Sequence, residues 1–291
     1  MKRFLIGCSI FLGISCCCQA ATSRALILCG MPGNAEHEQQ FTESVSKMTN
    51  SLTDRFGFSE SNIQIYYDSG KEASGDVDFK THGQGTRKDI AKAANWLVSN
   101  TKADDSAWVF VIGHSYFDDK KVHLNIPDRD ITHKEFCHAF KKLKGKARFF
   151  ICTPVSGYFI KDLSAKGRIV ITSTEPDLET NGSIYHTALA KTLEEIKPDA
   201  QFDVDGDGRV SWFDLYVKST QHLADLYASE ETPLIPTEHP QFDDNGDGRG
   251  SEVQIDYLTV AQGGRSDQKR KKGIRRFKDG QLAAKLALPL K

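Results

Sequence analysis

The sequence has little cysteine, and beyond its first 20 residues it has no apolar run long enough to span a bilayer. Four of its seven cysteines fall in those first residues. The other three, Cys29, Cys137 and Cys152, are odd in number and show no framework spacing. A small domain held together by disulfides is therefore excluded, and a chain of 291 residues must bury a core of its own.

The first 20 residues are typical of a secretory signal peptide. Lys2 and Arg3 precede an apolar run that extends to Cys18, and Ala20 provides a small residue for cleavage. The run is too short to cross a bilayer comfortably as a helix. A lipidated Cys16 is an alternative form of processing. The sequence predicts that the mature protein is exported, to the periplasm or to the medium.

The net charge of −1 hides two regions of opposite charge. Residues 201–252 contain 12 acidic and 3 basic residues, whereas residues 263–291 contain 10 basic and 2 acidic residues. Clustered carboxylates repel one another, and a bound cation would neutralise them. The basic tail has little to bury, so we expect it to be mobile and suited to contact with a polyanion. It has no interleaved aromatic pattern and is not interpreted as a nucleic-acid module.

Short apolar runs alternate with segments of helical periodicity in most of the chain. The runs at 25–29, 63–67, 107–112, 147–151 and 168–172 predict strands buried on both faces of a parallel sheet. Helices are predicted at about 37–56, 87–99, 133–144, 183–196 and 212–227. Such alternation predicts a three-layer α/β fold with crossover connections. Functional groups of these folds lie at the carboxyl ends of the strands.

Residues 203–214 carry the spacing of a twelve-residue calcium-binding loop, with Gly208 at the position of the sharp turn. Val210 is the apolar residue that usually joins such a loop to a neighbouring strand. An acidic surface turn is the alternative, but every ligand position is filled. The predicted ligands at positions one, three, five, seven, nine and twelve are Asp203, Asp205, Asp207, the backbone carbonyl of Arg209, a water on Ser211, and Asp214.

Pro198 interrupts the preceding helix, so that helix does not run directly into the loop. A helix is predicted only on the C-terminal side of the loop. A second acidic loop repeats the pattern 40 residues later, with Asp243, Asn245 and Asp247 at positions one, three and five. Its position twelve is a glutamine, so Glu252 would have to close the cage. Cation binding and a tight glycine-rich turn both remain open there.

Two polar turns follow the third and fourth predicted strands. The first contains Gly113 and His114, and the second is the Thr-Pro-Val-Ser-Gly segment at 153–157. An apolar strand ending in Gly-His, followed by a second strand and a Ser-Gly-x-Phe turn, resembles the caspase and legumain (hemoglobinase) group of cysteine peptidases. The resemblance covers roughly residues 24–260.

Secreted bacterial relatives of the legumain type carry a similar acidic insert and a later Thr-Glu-His stretch, here at 237–239. The resemblance implies a caspase-like sandwich in which His114 is the catalytic base and a cysteine attacks the peptide carbonyl. The nucleophile position, however, is Pro154, which has neither thiol nor hydroxyl. Cys152 or Ser156 would have to replace it. The simpler alternatives are a strand-end histidine bonded to backbone and a buried structural cysteine.

The sequence therefore predicts a caspase/legumain-like α/β domain at 21–200, an acidic calcium-binding segment at 201–262 and a basic tail at 263–291. The predicted function is that of an exported calcium-binding protein on a degenerate peptidase scaffold, with a peptide or protein ligand in the cleft. One alternative is an active cysteine endopeptidase that uses His114 with Cys152. Another is a dockerin-like adhesion module, although the two loops are further apart than those of a dockerin.

Overall fold

The computed structural model describes residues 21–68, 79–176, 179–229, 237–264 and 278–291. The predicted signal peptide lies outside the described residues. The strands are β1 (Ser23–Cys29), β2 (Ile63–Tyr67), β3 (Ser106–Ile112), β4 (Ser115–Phe117), β5 (Val122–Leu124), β6 (Ile131–Thr132), β7 (Lys146–Cys152), β8 (Ile169–Thr172) and β9 (Gln241–Asp243). The α-helices are α1 (Ala35–Asp54), α2 (Arg87–Asn100), α3 (His133–Ala139), α4 (Tyr158–Leu163), α5 (Tyr185–Glu195) and α6 (Trp212–Ala228).

Six of the strands form one sheet in the order β2-β1-β3-β7-β8-β9. All neighbours are parallel except β9, which runs antiparallel to β8. All five predicted strands are present, and the prediction of an α/β fold with a mainly parallel sheet is confirmed. The sequence analysis did not predict β9 or the small antiparallel sheet β4-β5-β6.

Both faces of the large sheet are buried, which explains the apolar runs without alternation. In β1, Ala25 and Ile27 belong to one hydrophobic cluster, while Leu26 and Leu28 belong to the other. Helices α1, α5 and α6 cover the first face, and α2, α3 and α4 cover the second. The helices and the sheet therefore form three layers.

Aromatic side chains join α6 to the centre of the sheet. Phe110 of β3 and Phe150 of β7 stack with their ring centroids 4.7 Å apart. Trp212, the first residue of α6, meets Trp108 edge to face at 4.6 Å. The guanidinium of the buried Arg148 lies 4.9 Å from the centre of the Trp212 ring. The helix that follows the first acidic loop is thus held directly against the sheet.

The third predicted helix starts at a capping box and is shorter than expected. Thr132 and Glu135 form a capping box at the start of α3, as the sequence indicates. The helix ends at Ala139, not near residue 144, because Phe140 leaves the helical conformation and its N–H bonds the carbonyl three residues back. Phe140 and Leu143 nevertheless stay buried in the core.

The prediction of a mobile tail does not hold for residues 278–291. The Leu288 N–H donates to the carbonyl of Val210 at 2.9 Å, and the Leu286 carbonyl accepts from the Trp212 N–H at 3.2 Å. Ala283 and Leu288 are buried, so this segment does have apolar surface to bury. Val210 therefore joins the first acidic loop to a neighbouring segment, as its loop position indicates. In the described residues, no helix is long and apolar enough to cross a membrane.

The stacked ring of Phe110 should contribute strongly to stability. We expect Phe110→Ala to lower the free energy of unfolding by about 3–5 kcal/mol, since it leaves a cavity in a close-packed core. Urea unfolding monitored by circular dichroism measures this loss. Val260→Ala, at a side chain that is 56% exposed, is the control and should change stability by less than about 0.5 kcal/mol. Equal effects of the two substitutions would contradict this view of the core.

Candidate functional site

The parallel pairing of β3 and β7 brings the two predicted catalytic segments to one edge of the sheet. Ile112 and Cys152 are partners in this register, so His114 and Pro154 each lie two residues beyond a paired position. The Ser115 hydroxyl donates to the Pro154 carbonyl. The sequence analysis therefore placed these segments together correctly, at the edge where α/β proteins carry their functional groups.

His114 is half-buried among other rings. Its Nε2–H donates to the Pro32 carbonyl at 3.0 Å, which assigns the proton of the neutral ring to Nε2. The rings of His37 and Phe41 lie 4.8 Å and 5.5 Å from it. The buried His186 has its pKa lowered to about 3, by burial and by the charges of His37 and His114. The sequence analysis missed His37 and His186, whose α1 and α5 positions gave no local signal.

Cys152 is fully buried in the core cluster on the face of the sheet covered by α1, α5 and α6. Burial raises the pKa of its thiol well above the usual value, and the charge of Glu238 raises it further. A cysteine attacks a carbonyl as the thiolate, so both effects oppose nucleophilic activity. The surroundings of Cys152 are those of a structural cysteine.

Ser156 is also fully buried, and its hydroxyl is engaged in a network of other hydroxyls. Its Oγ lies 2.9 Å from Thr174 Oγ1 and 3.3 Å from Ser173 Oγ, and it accepts from the Thr174 N–H at 3.1 Å. The Ser173 hydroxyl donates in turn to the Thr153 carbonyl at 3.0 Å. This network fixes the 153–157 turn and gives Ser156 the role of a turn residue.

The 153–157 turn has an unusual backbone. Val155 has a φ of +47°, a left-handed conformation that is strained for a β-branched residue. Its N–H donates to the Glu179 carbonyl at 3.0 Å. A side chain on Gly157 would place its Cβ only 2.6 Å from the backbone nitrogen of Pro176. Contacts with Glu179 and Pro176 therefore hold the turn in a backbone conformation that Val155 does not favour.

The first acidic loop assembles three carboxylates at one point. Side-chain oxygens of Asp203, Asp205 and Asp214 lie within 4.8 Å of one another, and in the described residues theirs is the only group of three or more such ligands drawn together in this way. Asp203 accepts from the N–H groups of Asp207 and Gly208 at 3.0 Å and 2.9 Å. Oxygen-rich clusters of this type suit a hard divalent cation such as Ca²⁺.

Asp214 connects the loop to the helix that follows it. The residue is fully buried, and its Oδ1 accepts from the Val204 N–H at 2.7 Å. Its Oδ2 accepts from the N–H and the hydroxyl of Ser211 at 2.7 Å and 2.6 Å. Ser211 thereby caps α6, a role that the sequence analysis did not assign when it placed a ligand water on this residue.

The loop carboxylates raise one another's proton affinity. Burial raises the pKa of Asp205 to about 6, with further contributions from the charges of Asp214, Asp207 and Asp203. Burial also raises the pKa of Asp214. The Arg209 guanidinium, 3.3 Å from the exposed Asp207, points to the outer side of the loop. A divalent cation would offset the repulsion among the inner carboxylates.

The residues that end the second acidic loop have neighbours that the sequence does not indicate. Position twelve, Gln254, is buried with its side chain bonded to Tyr216. The expected substitute is Glu252, and burial raises its pKa. The charges of His239, Glu175 and Glu179 also act on its carboxyl group. Glu252 also lines a neighbouring cavity, and its role as the closing ligand stays a prediction. The remaining predicted ligands are Asp243, Asn245 and Asp247.

That neighbouring cavity has a volume of about 480 Å³ and an acidic lining. Because Thr172 of β8 pairs with Gln241 of β9, the residues before β9 lie at the same sheet edge as those after β8. Glu175, Glu238 and Glu252 line the cavity. Burial raises the pKa of Glu238 to about 7 even though it accepts four hydrogen bonds.

The chain is thus an α/β protein with polar turns at the carboxyl edge of its sheet and an acidic loop beside it. No family model matches the sequence, and no curated protein matches it. Among solved structures, the Drosophila initiator caspase Dronc is similar with 10% identity and a TM-score of 0.48, over 79% of this chain and 81% of the caspase. Protein GSU0716 from Geobacter sulfurreducens is similar with 10% identity and a TM-score of 0.44, over 77% and 94% of the two chains.

The buried, protonated thiol of Cys152 leads to a labelling prediction. We expect iodoacetamide at neutral pH to leave Cys152 unmodified in the folded protein and to modify it in urea, because alkylation needs an accessible thiolate. Peptide mass spectrometry locates the label. In protein without residues 1–20, a variant with Cys29 and Cys137 replaced by serine gives the same readout for a single thiol. Rapid labelling of native Cys152, abolished by His114→Ala, would instead indicate an activated nucleophile.

Proposed function

We propose that this chain is an exported calcium-binding protein on a caspase/legumain-like peptidase scaffold that has lost catalysis and binds a peptide. The observation that carries the proposal is the pairing of Ile112 with Cys152. It places His114 beside a turn in which the nucleophile position is Pro154. This arrangement supports a peptidase-like scaffold that has neither a thiol nor a hydroxyl at the position where the resemblance expects the nucleophile.

Loss of catalysis is supported by the state of the candidate replacements. Cys152 and Ser156 have no exposed surface, and a nucleophile must reach the substrate carbonyl. The imidazole ring of His114 contacts Pro32, His37 and Phe41. A base that activates a nucleophile must lie within hydrogen-bond reach of it.

Calcium binding is supported by the convergence of Asp203, Asp205 and Asp214 in a loop whose sequence has the twelve-residue spacing. Asp214 is also the residue that anchors the loop to α6. An ion there would stabilise the folded state, because the ligand cluster exists only when the chain is folded. Calcium would therefore act on stability through the attachment of α6.

The cavity next to β9 lies at the carboxyl edge of the sheet and is the proposed site for the ligand. Its lining includes the half-buried Glu175 and Glu252, together with His239, which is paired with Glu179. A pocket with carboxylates in its wall favours a cationic group. The proposed ligand is therefore a peptide with a lysine or arginine side chain that enters this cavity.

Calcium should raise the melting temperature of the protein. We expect the rise in 1 mM Ca²⁺ relative to chelator to correspond to at least about 2.7 kcal/mol, if the dissociation constant is about 10 μM or lower. The double substitution Asp203→Ala with Asp214→Ala should abolish the part of the rise due to the first loop. Scanning calorimetry measures it, and Asp199→Ala, outside the loop, is the control. An equal rise in both variants would contradict a role for this loop.

A basic side chain should contribute most of the peptide affinity. We expect an arginine-containing peptide from a fluorescent library to bind more tightly than the same peptide with citrulline, which keeps the shape and loses the charge. Glu175→Gln should reduce the preference for arginine about tenfold, whereas Glu194→Gln on the exposed side of α5 should not. Fluorescence anisotropy measures both. Hydrolysis of library peptides by the protein would contradict the loss of catalysis.

A further inference from the structure

The second acidic loop is contacted by an acidic residue from the C-terminal segment. The Asn245 Nδ2 donates to Asp279 Oδ1 at 2.5 Å, and the Ser251 hydroxyl donates to Asp279 Oδ2. Asp279 is only 2% exposed. It lies far from the loop in sequence and within a basic region, so no spacing pattern indicates it.

Asp279 takes the same place at the second loop that Asp214 takes at the first. Ser211 occupies position nine of the first loop, and its hydroxyl donates to Asp214. Ser251 occupies position nine of the second loop, and its hydroxyl donates to Asp279. The missing carboxylate of position twelve is therefore supplied from another part of the chain.

The backbone of the two loops also corresponds. In the first loop, Asp205 accepts from the N–H of position five at 3.2 Å, and Asp207 accepts from the N–H of position seven at 3.0 Å. In the second, Asn245 and Asp247 accept from the equivalent N–H groups at 2.8 Å and 3.0 Å. In both loops, the side chains at positions three and five are therefore oriented by hydrogen bonds from the N–H groups of positions five and seven.

An independent observation points to a ligand in the second loop. Asp243, at position one, is only 1% exposed. Its Oδ1 accepts from the Gly246 N–H at 2.9 Å, while its Oδ2 is buried with no hydrogen-bond partner among the described residues. A buried carboxylate oxygen without a partner is costly, and a coordinated cation would satisfy it.

The charges around Asp279 support the same reading. Asp243, Asp244 and Asp279 are each no more than 2% exposed. Three buried carboxyl groups thus belong to the loop and to the segment that contacts it. The mutual repulsion of such groups is what a divalent cation relieves.

Asp244 explains how the C-terminal segment reaches the loop. Its carboxylate accepts from the N–H groups of Gly280, Leu282 and Ala283 at 3.0 Å, 2.9 Å and 2.7 Å. These bonds hold the segment directly after Asp279 against the residue directly after Asp243. The carboxylate of Asp279 is therefore positioned by backbone bonds and does not rely on its own side-chain contacts alone.

We propose that the second loop is a calcium site closed by Asp279, with Asp243, Asn245 and Asp247 as its other side-chain ligands. Glu252 has no part in this site. One consequence is that calcium at this site fastens the C-terminal segment to the acidic region. The site is separate from the first loop and from the proposed peptide cavity, and it stands without either of them.

Isothermal titration calorimetry of the purified protein with Ca²⁺ tests the proposal. We expect two ions to bind the unaltered protein. Asp279→Asn should leave one, because it removes the closing charge, and the exposed Asp247→Asn should do the same. Glu252→Gln is the matched control for loss of a nearby carboxylate and should retain two ions. Circular dichroism checks that each variant is folded. If Asp279→Asn does not fold, Asp247→Asn is the variant that tests the proposal.

The outcomes separate this inference from calcium binding at the first loop. Asp214→Asn should abolish the first site and leave the ion bound with Asp279. Binding of two ions by folded Asp279→Asn or Asp247→Asn would overturn the inference, as would loss of an ion in Glu252→Gln. Binding of a single ion that disappears in Asp214→Asn and persists in Asp247→Asn would also overturn it, while leaving the first site intact.

Discussion

The hydrogen bonds of the buried Asp214 carboxylate are the interaction on which the first acidic loop and helix α6 depend. The carboxylate closes the first loop through Val204 and Ser211 and caps α6 at the same time. Helix α6 then packs through Trp212 on the central aromatic rings of the sheet. Any ion that satisfies Asp214 acts on the attachment of a whole helix, because loop closure and helix start share one side chain.

The C-terminal segment extends this dependence to the second loop. It pairs with the backbone of Val210 and Trp212 at one end and carries Asp279 to the second loop at the other. Two acidic loops that are distant in sequence are thereby joined by one short segment. From the sequence, the basic residues 263–291 were expected to be mobile and suited to contact with a polyanion. The contacts of the described part, residues 278–291, with the acidic region are backbone pairs and the hydrogen bonds of two carboxylates, Asp244 and Asp279.

Local patterns predicted much of this structure. The five parallel strands follow from apolar runs buried on both faces, and the start of α3 follows from its capping box. The sites were predicted where their residues are close in sequence, as in the first loop. Asp279 and His186 could not be predicted in this way, because tertiary packing alone brings them to their partners. The position of Glu252 in the wall of a neighbouring cavity is likewise a result of tertiary packing that the loop sequence does not indicate.

The most direct test of this account is a crystal structure of the protein grown in calcium, with anomalous scattering data to identify bound ions. The account predicts an anomalous peak bounded by Asp203, Asp205 and Asp214, with oxygen distances of about 2.3–2.6 Å. A well-ordered first loop with water in place of that peak, at millimolar calcium, would contradict it.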